Sequence, residues 1–125
     1  MKAVLLACCA AFTVAAQSAK VTPLLSKDLP DVAGKEVSMV TVEYAPGASS
    51  ASHRHNADTF VYVLEGSIVM QVKGGTEVTL GPGQTFYESP DDIHSVSRNA
   101  STTNKAKFLV FFVKQKGAPA SVPAQ

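Results

Sequence analysis

His53-Arg54-His55-Asn56-Ala57-Asp58-Thr59-Phe60-Val61-Tyr62-Val63-Leu64-Glu65-Gly66 carries two patterns of β structure side by side. His53 and His55 stand two residues apart, and successive side chains of an extended strand alternate sides. Both imidazoles therefore share one face and Arg54 takes the other. The run from Thr59 to Leu64 is apolar on both faces and ends at a glycine. A third histidine, His94, comes from a distant segment, and with it the chain's histidines are exhausted. Three imidazoles placed in this way form a metal-ligand set, and the short β-branched and aromatic runs around them, punctuated by Gly and Pro, describe an all-β sandwich or barrel.

On either side the same punctuation continues. Residues 20–35, with Pro23, Pro30 and Gly34, read as an N-terminal arm that drapes over the barrel or pairs with an edge. Glu36 to Tyr44 alternates as a strand and Pro46-Gly47 ends it. Ile68 to Lys73 and Thr76 to Leu80 flank Gly74-Gly75, which suits a tight hairpin. Gly81-Pro82-Gly83 turns into Gln84 to Ser89, Pro90-Asp91-Asp92 breaks that strand, and Ile93 to Arg98 carries His94. Lys107 to Val113 is apolar on both faces, like Thr59 to Leu64, so something must cover the outer side of both. A homodimer packing sheet against sheet would do so, as would the N-terminal arm. The barrel domain thus spans residues 36–116, and the tail 117–125, poor in anchoring side chains, is expected to be flexible.

Met1-Lys2, an uncharged run from Ala3 to Ala16 and a small-residue exit describe a secretory signal peptide over residues 1–19. Cleavage is expected after Ala16 or Ala19, with an uncleaved anchor as the rival reading. Secretion or a periplasmic location follows. Both cysteines, Cys8 and Cys9, fall inside that leader, so no disulfide supports the remaining domain. Its length of roughly 106 to 109 residues suffices for one core and no more. Loss of Lys2 leaves ten basic against ten acidic side chains, a balance that offers nothing to nucleic acid or, once the leader is gone, to a membrane surface.

From about Gly47 to Asn99 the chain resembles the cupin superfamily. Gly47, five residues, His53-x-His55, three residues, Thr59, six residues and Gly66 follow the first motif of that family. Thr59 stands where the family usually has a metal-binding glutamate. Gly83 aligns with the opening glycine of the second motif and His94 with its histidine. The usual proline and glycine fall on Ser89 and Asp91, and Asn99 lies one position past the usual asparagine. The resemblance implies a single-domain cupin jelly-roll β-barrel holding a divalent transition metal (iron, manganese, zinc, nickel or copper) on His53, His55 and His94. Three neutral ligands leave the ion its full two-plus charge and open positions, which favour anionic, chelating substrates.

Other residues are weighed by parity. Thr59 either bonds a metal-bound water or fills barrel volume. Asp58, of opposite parity, is expected to face solvent. Tyr87 and Glu88 are candidates to orient a ligand histidine, and at most one of them faces the cavity. Outward placement is the expectation for each. Arg54 is expected as a surface or interface charge, and Tyr62 packs on the face of Phe60 and Leu64. Asn99-Ala100-Ser101 is an N-glycosylation triplet. The function expected is that of a metal-dependent oxygenase, isomerase or lyase acting on a small chelating acid or enol. The alternative is a non-catalytic barrel that binds a sugar or organic acid, and a metal-free interaction protein is the third reading.

Overall fold

The computed structural model describes residues 19–124; the leader read at residues 1–19, with Cys8 and Cys9, lies outside the described residues but for Ala19. Within them the regular elements are all strands: β1 (Lys20–Asp28), β2 (Lys35–Tyr44), β3 (Ser49–Ser50), β4 (His53–Arg54), β5 (Asp58–Glu65), β6 (Ile68–Val72), β7 (Val78–Leu80), β8 (Thr85–Glu88), β9 (His94–Asn99), β10 (Ala106–Gln115) and β11 (Val122–Pro123). They form two antiparallel sheets, one in the order β1-β2-β10-β5-β8, the other β11-β4-β9-β6-β7 with β3 also on β9. This is the jelly-roll expected from the sequence.

Alternation along the strands places the core between the sheets. On β5, Thr59, Val61 and Val63 are buried; on β10, Phe108, Val110 and Phe112; on β6, Ile68 and Met70. Each such apolar side chain contributes about 1.5–3 kcal/mol by leaving water, and together they hold the layers face to face. Two buried polar residues fix how the sheets meet. The Tyr44 hydroxyl, on β2, lies 2.6 Å from Ser50 Oγ and 2.7 Å from Ser97 Oγ, across on β3 and β9. Asn99 is buried, donates from Nδ2 to the carbonyls of Ala45 and Asn104, and accepts the Ser101 amide. An asparagine so committed offers no amide for glycosylation in the folded domain.

Both ends of the described chain are placed by strand pairing, the N-terminal arm in the pairing alternative. Residues 20–28 pair with β2 as the edge strand of their sheet, with a register shift between Pro23 and Leu25, and do not cover the outer face of β5, where Phe60, Tyr62 and Leu64 remain 44–46% exposed. The tail expected to be flexible returns to the barrel: Val122 and Pro123 pair with Arg54 and His53. Its anchors are a buried Lys114, whose Nζ donates to Glu36 and to the Ala118 carbonyl, and Glu36, which also accepts the Gly117 amide. Composition did not show this because two of those acceptors and donors are backbone.

Gly66 turns the chain from β5 in one sheet to β6 in the other at φ +70°, and a Cβ there would run into the Lys105 carbonyl oxygen and lie 2.9 Å from Ala106 Cα. Gly74, in the hairpin, has φ +85° with nothing near. Gly66→Ala is expected to cost about 3 kcal/mol or more, from backbone strain and overpacking together, and Gly74→Ala about 1 kcal/mol from strain alone. Urea denaturation of both variants checks this; equal losses would mean that Gly66 is not confined by the chain beside it.

Candidate metal centre

Short β4 brings the first two histidines to the third. It is hydrogen-bonded to β9 with His53 directly opposite His94, and His55 follows before Asn56, at φ 49°, turns the chain towards β5. The ligand-capable nitrogens of His53, His55 and His94 lie within 4.8 Å of one another. Neighbouring rings hold them: Phe112 sits 4.9 Å from His55, and Phe86 stacks on His94 at 6.0 Å.

Hydrogen bonds decide which nitrogens are free. His53 Nδ1 lies 2.7 Å from the Ala51 carbonyl oxygen and His55 Nδ1 2.8 Å from that of Ala120. A carbonyl only accepts, so both bonds put the proton on Nδ1 and leave Nε2 a lone pair. Those two Nε2 atoms stand 3.1 Å apart, a repulsive contact between acceptors unless a proton or cation joins them. His94, 3% exposed, has no hydrogen-bond partner at either nitrogen among the described residues.

Glu88 borders the three histidines. It is 2% exposed, neither oxygen has a hydrogen-bond partner among the described residues, and Oε2 lies 3.3 Å from His94 Nδ1 and 3.8 Å from His55 Nε2. The expectation of outward placement therefore fails for Glu88 and holds for Tyr87, which is half exposed and donates its hydroxyl to Asp58 on the outer face. Thr59 is fully buried and donates to the Ala57 carbonyl; it does not line the cavity. Arg54 is half-buried with its guanidinium near the Asp91 carbonyl, less exposed than a surface charge. Parity allowed Glu88 or Tyr87 to face inward. The signal that decides is the pairing of Glu88 with Thr59 across β8 and β5, which a linear reading does not contain.

The four side chains open on a cavity of about 510 Å³ whose walls include Val42, Val110 and Phe112, with Ala120 to Pro123 of the tail closing one side. Each buried, unpartnered polar atom costs about 1–3 kcal/mol, a cost that a cation among them would relieve. Imidazole nitrogen suits divalent iron, nickel, copper or zinc. The residues present fit such an ion.

Burial also sets the charge of the metal-free site. It pulls His55 down to about 4 and His94 down to about 3, with the neighbouring histidines adding to the shift, and pushes Glu88 up to about 7, Asp92 adding to it. Between the ordinary histidine value of 6.5 and about 4, the unfolded chain binds two protons that the fold refuses, so stability falls with falling pH. Glu88 works the other way between 4.5 and about 7, holding one proton that the unfolded chain gives up. Two histidines outweigh one carboxyl where the windows overlap. The melting temperature of the metal-free protein is thus expected to drop from pH 6.5 to 4.5 and faster below, and His94→Asn to flatten that slope; unchanged slopes in thermal melts would mean solvated imidazoles.

The Cupin domain family (Cupin_2) matches residues 40–112, more than half of the chain and the span that carries all four side chains. No curated protein matches it in sequence. Among solved structures, an uncharacterized conserved protein with a double-stranded β-helix domain from Klebsiella pneumoniae subsp. pneumoniae MGH 78578 has a TM-score of 0.66 at 19% identity, over 86% of this chain and 85% of that one. An oxalate oxidase in complex with the substrate analogue glycolate has a TM-score of 0.64 at 26% identity, over 83% of this chain and 54% of its own. The DMSP lyase DddQ from Ruegeria pomeroyi DSS-3 has a TM-score of 0.62 at 20% identity, over 70% of this chain and 43% of its own. The chain spans about half the length of that oxidase and less than half of that lyase, and the likeness to the lyase and to the Klebsiella protein is one of fold. With two sheets, the clustered histidines and the family match over their whole span, the chain belongs to the cupin family.

Proposed function

We propose that this protein is an exported, metal-dependent cupin enzyme that takes a small chelating acid or enol into its barrel. The observation that carries the reading is the pair of Nε2 lone pairs on His53 and His55, facing each other at 3.1 Å while both Nδ1 atoms are tied to backbone carbonyls. With His94 they would hold a divalent ion at the cavity floor. When bound, the ion supplies Lewis-acid or redox chemistry at positions left open to the cavity. The chain's own part is to fix the imidazoles through Ala51 and Ala120 and to surround the site with apolar walls that exclude bulk water. A cavity of about 510 Å³ lies within the usual range for small-molecule sites, about 300–1,000 Å³. The glycolate carried by the similar oxalate oxidase is a small chelating acid, which supports that substrate class. The charged start, apolar run and small-residue exit of residues 1–19 support export to the periplasm or exterior.

A second copy of the chain is the proposed partner. Phe60, Tyr62, Leu64 and Tyr87 are each 44–50% exposed on one face, joined by the ring contacts of Phe60 with Tyr87 and Phe111. Apolar patches of this kind mark interaction sites, and a two-fold pair would bury the face against itself.

Elemental analysis of protein purified without a metal-binding tag is expected to find about one equivalent of iron, manganese, nickel, copper or zinc, lost in a His53→Ala/His94→Ala variant. Metal-loaded protein is then screened for turnover of small hydroxy and dicarboxylic acids. A ligand that raises the melting temperature with no product formed would make the barrel a binding module; no metal after reconstitution would overturn the enzyme reading. In sedimentation the wild type is expected as a dimer and Phe60→Asp as a monomer, whereas a monomeric wild type would leave the outer face to some other cover.

A further inference from the structure

Glu88 has the position of a ligand and none of the contacts of an orienting residue. On β8 it stands opposite Thr59 of β5, so the two share the inner face of the sheet. A carboxylate that orients a ligand histidine accepts along the ring N–H axis. Glu88 Oε2 lies 3.3 Å from His94 Nδ1, within bonding distance, yet both atoms remain without a hydrogen bond because the N–H direction misses the oxygen. Both residues line the same cavity.

Some of the separations around that cavity approach those of a coordination shell, while the ligand-capable nitrogens of the three histidines lie within 4.8 Å of one another. Atoms each about 2.1 Å from one ion sit about 3.0 Å apart at a right angle and about 3.4 Å apart at the tetrahedral angle. The separations here are 3.1 Å from His53 to His55, 3.3 Å from Glu88 to His94 and 3.8 Å from Glu88 to His55. The first two already fall in that range, and the third needs a movement of a few tenths of an ångström.

We propose that Glu88 is itself a ligand of the ion, the fourth from the protein, delivering from β8 the carboxylate that position 59 on β5 does not supply. The proposal rests on the metal reading of the three histidines. It revises the charge expected from three neutral ligands: a carboxylate in the shell lowers the net charge to one-plus and leaves two positions of an octahedral ion for a substrate that chelates through two oxygens.

Cobalt(II) binding to tag-free wild type and to Glu88→Gln, followed by chelator competition and by the visible cobalt spectrum, tests this. Removal of an orienting partner costs about 10–100-fold in affinity; for Glu88→Gln a loss of about 100-fold or more is expected, together with a changed cobalt spectrum. A loss of less than about tenfold with an unchanged spectrum overturns the proposal and leaves the three-histidine site standing. Wild type that takes up neither cobalt nor zinc overturns the histidine reading and this proposal with it. Should Glu88→Gln fail to fold, zinc-soaked crystals of the wild type decide: a Glu88 oxygen within about 2.2 Å of the ion supports direct ligation, and one beyond hydrogen-bond range of it overturns the proposal.

Discussion

The pairing of His53 with His94 across β4 and β9 is the contact on which the site depends. β4 is two residues long, too short to hold its own register, and it is fixed from both sides: β9 on one flank, β11 on the other. A slip of one residue would turn Arg54 into the cavity and both histidines out of it. The struts from Tyr44 to Ser50 and Ser97 then set the distance between sheets, so that Glu88 on one sheet meets His94 on the other. Barrel and site are in this sense one construction, since the bonds that join the sheets also aim the histidines.

The C-terminal segment shows how much of that aiming comes from the backbone. Lys114 is buried, and a lone buried ammonium would be costly; Glu36 and the Ala118 carbonyl satisfy it. A buried ion pair is a weak source of net stability and a good source of register. Here it fixes where the chain leaves β10, and two residues beyond Ala118 the Ala120 carbonyl meets His55 Nδ1. The tail thus sets the tautomer of His55, a candidate metal ligand, without contributing a side chain to it.

What was legible in the sequence is what short-range periodicity encodes. His53 and His55 on one face, Tyr62 with Phe60 and Leu64 on the other, the Gly74 hairpin and the strand carrying His94 all follow from alternation and turn chemistry. Cupin-motif spacing aligned His94 with the second motif and added the jelly-roll. The inward turn of Glu88 was not legible, because parity relates it to Tyr87 but says nothing about which of them faces in. Nor was the anchoring of residues 117–124, which rests on backbone pairing and one long-range ion pair. The pairing of β1 was left open for the same reason: an edge strand with Pro23 and Pro30 in or near it advertises its turns more loudly than its ladder.

Thr59 and Glu88 show why spacing along the chain is an incomplete record of a candidate metal site. They are 29 positions apart in sequence and direct partners in register. Side chains so placed have Cβ atoms about 4.5–5.5 Å apart on the same face, and a glutamate spans most of that distance. A barrel can therefore exchange which of two paired strands presents a carboxylate while the backbone stays as it was. The burial of Thr59, its hydroxyl spent on the Ala57 carbonyl, leaves the inner face beside it clear for the longer side chain. A motif written as letters on β5 registers a loss there. The physical constraint is a carboxyl oxygen near His55 and His94, and β8 satisfies it from the other side of the ladder.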